Sequence, residues 1–203
     1  FDAGSGVTVT SGAVSTWTDR AGVGNATQAT TNKRPVVTAN SFNYNDAITF
    51  DGANDNFDLA DRMATTVTGV SAYAVARQTA ATGDSWGSVL NAQANGATWQ
   101  GGGFGLVALN GGNTAHGFYV RDYDTKGVSF PVSNGNAFLE SGVWNGTSAN
   151  NVQTFKNGVS AGTAAYAPGN VGDAGSTWIG AGDGANSNYS FYGDIAEVII
   201  FNT

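Results

Sequence analysis

The sequence predicts an all-β sandwich, and three observations carry that expectation. Apolar residues fall in short runs that alternate with polar ones at period two, the spacing of a half-buried strand. Gly, Asn, Ser and Asp cut these runs roughly every 8–12 residues, as in sandwiches and barrels. No segment holds a helical period for as long as about ten residues.

Along the chain, the runs VTVT (7–10), AVSTW (13–17), AITF (47–50), VSAYAVAR (70–77), SVLN (88–91), FGLVAL (104–109) and HGFYV (116–120) read as strands. They are followed by AFLESGVW (137–144), VQTFK (152–156), TWIGAG (177–182) and IAEVIIF (195–201). Residues 143–162 read as a three-stranded meander, because Asn157-Gly158 is the dipeptide that most readily adopts the positive φ angles of a tight hairpin. Segments 20–34, 78–87, 92–103, 121–136 and 163–176 read as loops. The last run, YGDIAEVIIFN, is the most apolar and is expected mid-sheet, where both faces are covered.

Composition narrows the function. At 203 residues the chain is expected to form one domain, residues 1–203. Charged residues make up only 11%, and the net charge is −7, so no basic patch is available for a phosphate backbone and nucleic acid is excluded as a partner. No apolar run reaches the roughly 20 residues of a membrane span, so no membrane insertion is expected. With no cysteine there is neither a disulfide nor a thiolate nucleophile. This uncharged, Gly- and Thr-rich make-up points to an exported, extracellular domain of a bacterial cell surface or a virion surface. The chain opens on Phe1 rather than Met, which is compatible with flanking domains or a removed leader.

The block VSTWTDRAGVGNATQATTNKRPVV, then AITFDGANDNFDL, FKNGV, TWIGAG and the closing YGDIAEVIIFN, resembles the laminin-G-like, concanavalin A-like jelly-roll domains of exported bacterial proteins. The resemblance covers nearly the whole chain. It implies a jelly roll of two curved antiparallel sheets that recognises sugars or surfaces, often with calcium at a loop rim. Glycoside hydrolases and polysaccharide lyases share the fold, so the site must decide the function.

Catalysis finds little support in the residues. A glycosidase needs two carboxylates about 5 Å or 6.5–9.5 Å apart across one bond. The chain has two glutamates, Glu140 and Glu197, far apart in sequence. Asp194 and Glu197 are three residues apart, which in a regular strand places them on opposite faces. The lone histidine, His116, is expected to be partly buried or at a rim, and in HGFYVR it does not converge with Tyr119 and Arg121. One histidine and no cysteine cannot build a zinc site.

The densest polar stretch is AITFDGANDNFDLA, with Asp51, Asn54, Asp55 and Asp58. Asx-type turn bonding explains it without an ion. Alternatively Asp51, Asn54 and Asp55 supply oxygens to calcium, the metal this composition suits. Two further calcium positions are Asp2 with Asp194, if the termini meet, and Asp183 with Asn186 in AGDGANSN.

Sugar sites combine an aromatic face with amide and carboxylate groups for the hydroxyls. Trp86, Asn91, Trp99 and Gln100 lie together in GDSWGSVLNAQANGATWQGGGFG, and Arg121 and Tyr123 in RDYDTKG. These six are the candidate ligand-binding residues. Trp17, Trp144 and Trp178 sit inside strand patterns and are expected in the core. The function expected is therefore a non-catalytic module for a glycan or other cell-surface ligand. The alternatives are a structural or self-assembly domain of an adhesin, filament or virion, and a divergent hydrolase or lyase.

Overall fold

The computed structural model describes residues 1–59, 67–79, 87–93, 103–109, 114–120, 127–146, 151–166, 171, 176–182 and 189–202. These contain the strands β1 (Val7–Thr10), β2 (Ala13–Trp17), β3 (Ala26–Thr27), β4 (Val36–Phe42), β5 (Asn45–Asp51), β6 (Phe57–Leu59), β7 (Gly69–Gln78) and β8 (Ser88–Gln93). The second half supplies β9 (Gly103–Leu109), β10 (Ala115–Val120), β11 (Gly127–Pro131), β12 (Ala137–Asn145), β13 (Val152–Lys156), β14 (Val159–Ala164), β15 (Ser176–Ile179) and β16 (Tyr192–Asn202). A 3-10 turn lies at Thr31–Lys33.

The strands form two antiparallel sheets, as expected. The nine-stranded sheet runs β1-β2-β3-β6-β15-β8-β9-β10-β11, and the seven-stranded sheet runs β14-β13-β12-β7-β16-β5-β4. The meander predicted at 143–162 is β12-β13-β14, with Asn157 and Gly158 at φ 52° and 79° in its tight turn. The closing run β16 lies between β7 and β5. The N-terminal segment runs beside it, with the Phe1 nitrogen donating to Val198 O at 2.9 Å and Ala3 N to Ala196 O at 2.9 Å.

Size complementarity holds the sheets together. In β7 the inward positions are Ala72, Ala74, Ala76 and Gln78, while Ser71, Tyr73, Val75 and Arg77 point outward. At Gly142 on β12 a β-carbon would stand 1.9 Å from Phe118 Cγ, so the Phe118 ring of the opposite sheet lies directly on that backbone. Aromatic rings then run through the interior in one line. Phe1, Trp17, Phe57, Phe50, Phe191, His116, Phe138 and Phe130 follow each other with centroids 5.0–6.4 Å apart. Such tilted and edge contacts each add about 0.5–1.5 kcal/mol beyond the area they bury.

Five readings of the sequence are corrected. The loop 20–34 contains β3, and the loop 121–136 contains β11. The strand β4 went unpredicted. Both β4 and β11 are sheet edges, and an edge strand need not carry a buried alternating face to be paired. TWIGAG stops being a strand at Ile179, because Gly180 at φ 84° packs its backbone on Phe50 and turns the chain. Trp17 and Trp144 are core residues, as expected, but Trp178 is half-buried on the outer face of the nine-stranded sheet, opposite Asn91 and Asp58.

Replacing Gly142 by alanine is expected to lower stability by about 1–3 kcal/mol through overpacking. Thermal unfolding should record this as a Tm lower by about 2 °C or more.

Candidate functional site

The turn at residues 51–56 is closed by its own side chains. Asp51 Oδ1 accepts the amides of Ala53 (2.8 Å), Asn54 (3.1 Å) and Asp55 (3.3 Å), and Asp55 Oδ2 accepts the amide of Asp51 (3.1 Å). Asn56 is buried and bonded to Gln28 Nε2, which fastens the turn to β3. Burial first, and then the charge of Asp51, push the Asp55 carboxyl up to about 6, against the Asp51 amide bond that lowers it. The oxygens left over are Asp51 Oδ2, Asp55 Oδ1 and Asn54 Oδ1, the last buried without a hydrogen-bond partner. Three hard oxygens in one turn suit calcium, which would take the rest of its six to eight ligands from water and backbone.

The termini meet, but Asp2 lies across from Glu197 rather than with Asp194. Its carboxylate accepts Gly4 N, Ser5 Oγ and Arg20 Nη1 (2.8 Å). Burial acts to raise the Asp2 pKa, yet these bonds and the Arg20 charge hold it below the ordinary value. Asp194 accepts Arg77 Nε (3.1 Å), Thr49 Oγ1 (2.5 Å) and Ser41 Oγ (3.2 Å). Each of these two carboxylates already faces an arginine.

A β-bulge moves Glu197. Asp194 pairs with Arg77 and Glu197 with Val75, while the register shifts between Ile195 and Glu197. Arg77 and Val75 share the outer face of β7, so Asp194 and Glu197 lie on one face of the sheet and not on opposite faces as regular alternation predicted. Beyond the bulge Ile199 and Phe201 continue along that face, and Phe201 stacks edge-on against Tyr73 at 6.2 Å.

This outer face of the seven-stranded sheet carries a trough of three adjoining depressions. The first, about 390 Å³, lies between Phe1, Arg20, Val23, Glu197, Ile199 and Phe201. The second, about 270 Å³, shares Asp2 and Glu197 with it and adds Phe42, Asn45, Asp46 and Val75. The third, about 340 Å³, shares Phe42, Asn45 and Val75 and continues to Asn43, Leu139 and Asn157. Apolar and aromatic walls with amides and carboxylates between them are what sugar recognition requires. Nothing in the sequence alone placed residues 1, 42, 75, 139, 157 and 201 side by side.

His116 is neither partly buried nor at a rim. It is wholly buried between the sheets, as is Glu140. Its Nε2 stands 3.1 Å from Gln78 Oε1 and its Nδ1 3.3 Å from Glu140 Oε2. An amide oxygen only accepts, so Nε2 carries the proton and donates it. Burial pushes the Glu140 pKa up, opposed by the hydrogen bond to and the charge of His116. Burial thus favours the neutral carboxyl, whose Oε2–H can donate to Nδ1. That form also leaves the partnerless Oε1 as a carbonyl oxygen instead of an orphaned charge. Neither residue reaches a substrate.

Asn91 faces outward on β8 but is buried, donating to Gly182 O. Trp86, Trp99, Gln100, Arg121, Tyr123, Asp183 and Asn186 lie outside the described residues. Among the described residues no three His, Asp or Glu side chains converge on a metal position, and no helix is long and apolar enough to cross a membrane.

No family model and no curated protein matches the chain. Solved structures do match. A heptameric SAP-like pentraxin from Limulus polyphemus aligns at 18% identity and TM-score 0.54, over 76% of this chain and 74% of that one. A candidate carbohydrate-binding protein from Bacteroides ovatus aligns at 11% identity and TM-score 0.55, over 76% of this chain and 42% of that one. The sialidase of Trypanosoma rangeli aligns at 10% identity and TM-score 0.61, over 96% of this chain and 29% of that one. The chain thus spans less than half the length of the last two. At these identities the likeness establishes the fold, the concanavalin A-like jelly roll.

Both raised carboxyls bind their proton more tightly folded than unfolded, so their contribution to stability is full below the unfolded pKa and is lost as pH rises through the folded one. For Asp55 that window runs from about 4 to about 6. Asp55→Asn and Glu140→Gln are each expected to gain Tm relative to wild type as pH rises, in thermal melts from pH 4 to 8. For Asp55→Asn the gain should level off above about pH 6.

Proposed function

We propose that this chain is a non-catalytic recognition module of an exported, surface-located protein, and that it binds a glycan along the outer-face trough. The observation that carries the reading is the run of three adjoining depressions. They cross β16, β7 and β12 and offer Phe201, Ile199 and Phe42 as apolar contacts beside Asn43, Asn45, Asp46 and Asn157 as hydrogen-bonding groups. A trough spanning several strands suits an extended chain of sugar rings better than a single small molecule. The reading of a non-catalytic role rests on His116 and Glu140, which are spent in the core, and on the carboxylates beside Glu197, since Asp2 and Asp194 are each tied to an arginine and Asp46 accepts the Asn40 amide. Support from comparison is at the level of fold: a candidate carbohydrate-binding protein has it, and so does a sialidase.

The same reading gives the Asp51–Asn54–Asp55 turn a calcium ion that stiffens the module away from the trough. The orphaned Asn54 Oδ1 and the raised Asp55 carboxyl support it, since a cation would answer both.

A glycan array probed with the purified domain is expected to yield a hit that Phe201→Ala or Glu197→Ala weakens about tenfold with Tm unchanged. Release of reducing ends or unsaturated products from the bound glycan would replace this reading with a catalytic one. Calcium is expected to raise Tm in wild type and not in Asp55→Asn. An unchanged wild-type Tm across a calcium titration would remove the ion from the proposal.

A further inference from the structure

Among the described residues three hairpins are closed by two residues, and all three turns have positive φ at both positions. Ser11-Gly12 (55° and 85°) joins β1 to β2, and Asn157-Gly158 (52° and 79°) joins β13 to β14. In both, glycine takes the second position, where a side chain would crowd its own backbone. The third hairpin, β4 to β5, closes Phe42 on Asn45 through Asn43 (44°) and Tyr44 (70°). Asparagine tolerates the left-handed region, but tyrosine gains nothing there.

Packing does not explain the choice. Tyr44 is 90% exposed, the most of any large apolar side chain described. A bulky residue held in a costly conformation, with its ring given to water, marks a position whose side chain serves something outside the fold.

The stem beneath Tyr44 is fixed. Phe42 lies under the Arg77 guanidinium at 5.1 Å, Ser41 Oγ accepts Arg77 Nη2 at 2.6 Å, and Asp46 Oδ1 accepts the amide of Asn40 at 3.1 Å. Its neighbours Phe42, Asn43 and Asn45 line the third depression of the trough, whose far wall holds Leu139 and Asn157. Tyr44 therefore sits on a braced hairpin between two residues that line the trough, so little backbone entropy remains to be lost when a ligand stacks on its ring.

We propose that Tyr44 is a sugar-stacking residue. It covers the C–H face of one pyranose at the end of the trough, while the amides of Asn43, Asn45 and Asn157 serve its hydroxyls. The assignment rests on the glycan reading above and narrows it. Stacking needs a flat apolar face, so the rings favoured are neutral hexoses and pentoses with equatorial hydroxyls, as in gluco- and xylo-oligosaccharides, over those with axial groups on that face.

The test uses the whole chain, with Tyr44→Gly, Tyr44→Phe and Phe201→Ala, against immobilised gluco-, xylo-, manno- and galacto-hexasaccharides, with a thermal melt for each variant. Tyr44→Phe is expected to bind a gluco- or xylo-hexasaccharide within about twofold of wild type, because the ring is kept. Tyr44→Gly is expected to bind it about tenfold more weakly while its Tm rises by about 2–4 °C, the signature of a turn relieved of strain at the expense of a contact. A merely structural residue could not give that opposition. If Tyr44→Gly binds like wild type while Phe201→Ala does not, the stacking role is overturned and the trough reading survives. If the Tm of Tyr44→Gly fails to rise, the strain on which the assignment stands is absent and it falls. If wild type binds none of the four hexasaccharides, the neutral-sugar assignment falls, and a hit elsewhere on the full array keeps the trough reading alone.

Discussion

The two sheets are held in one relative position by a polar contact at the centre of an apolar layer. His116 comes from the nine-stranded sheet, and Gln78 and Glu140 come from the seven-stranded one. A buried imidazole, carboxyl and amide without partners would each cost a few kcal/mol, whereas bonded to one another they cost little. Sliding one sheet past the other by even one residue would break both bonds. The contact thus acts as a register pin in a layer where apolar contacts alone would tolerate displacement. The aromatic line passes through it, since His116 is itself the ring between Phe191 and Phe138.

Fixing the interior this way has a chemical consequence at the surface. The chain has one histidine and two glutamates, and the pin consumes the histidine and one glutamate. The outer face carries Asp2 and Asp194, each tied to an arginine, together with Glu197, Asp46, amides and exposed rings. A side chain buried to hold two sheets together is out of reach from the surface.

The trough depends on two departures from regular strand geometry, and both lie on the side of the sheet away from the pin. The bulge at Ala196 brings Glu197 to the face already occupied by Asp194, and so to the wall shared by two depressions. On the other flank, β4 shifts register between Thr38 and Phe42, and this extra backbone carries Ser41 to Arg77 and Asp194. The hairpin beyond it is braced on the same ion pair. Small inward residues on β7 let the sheet lie close to its partner, so that variety is confined to the outward positions.

By itself the sequence determined most of the strands that bury one face, because burial demands alternation; the three-residue β6 was too short to show it. It also determined the tight turn at Asn157-Gly158, the central place of β16, and the polar punctuation of the Asp51 turn, all of which depend on neighbours in the chain. Only the tertiary structure decided what depends on pairing between distant strands. The edges β4 and β11 carry no full alternating signal, so pairing alone reveals them. Trp178 has the local look of a core residue, yet faces outward because Thr177 and Ile179 take the inner positions of β15. Likewise His116 and Glu140 are 24 residues apart and nothing in either neighbourhood names the other. The trough was illegible for the same reason. Its walls come from both ends of the chain and from its middle, and a one-residue bulge, which period-two reasoning cannot foresee, decides which side Glu197 faces.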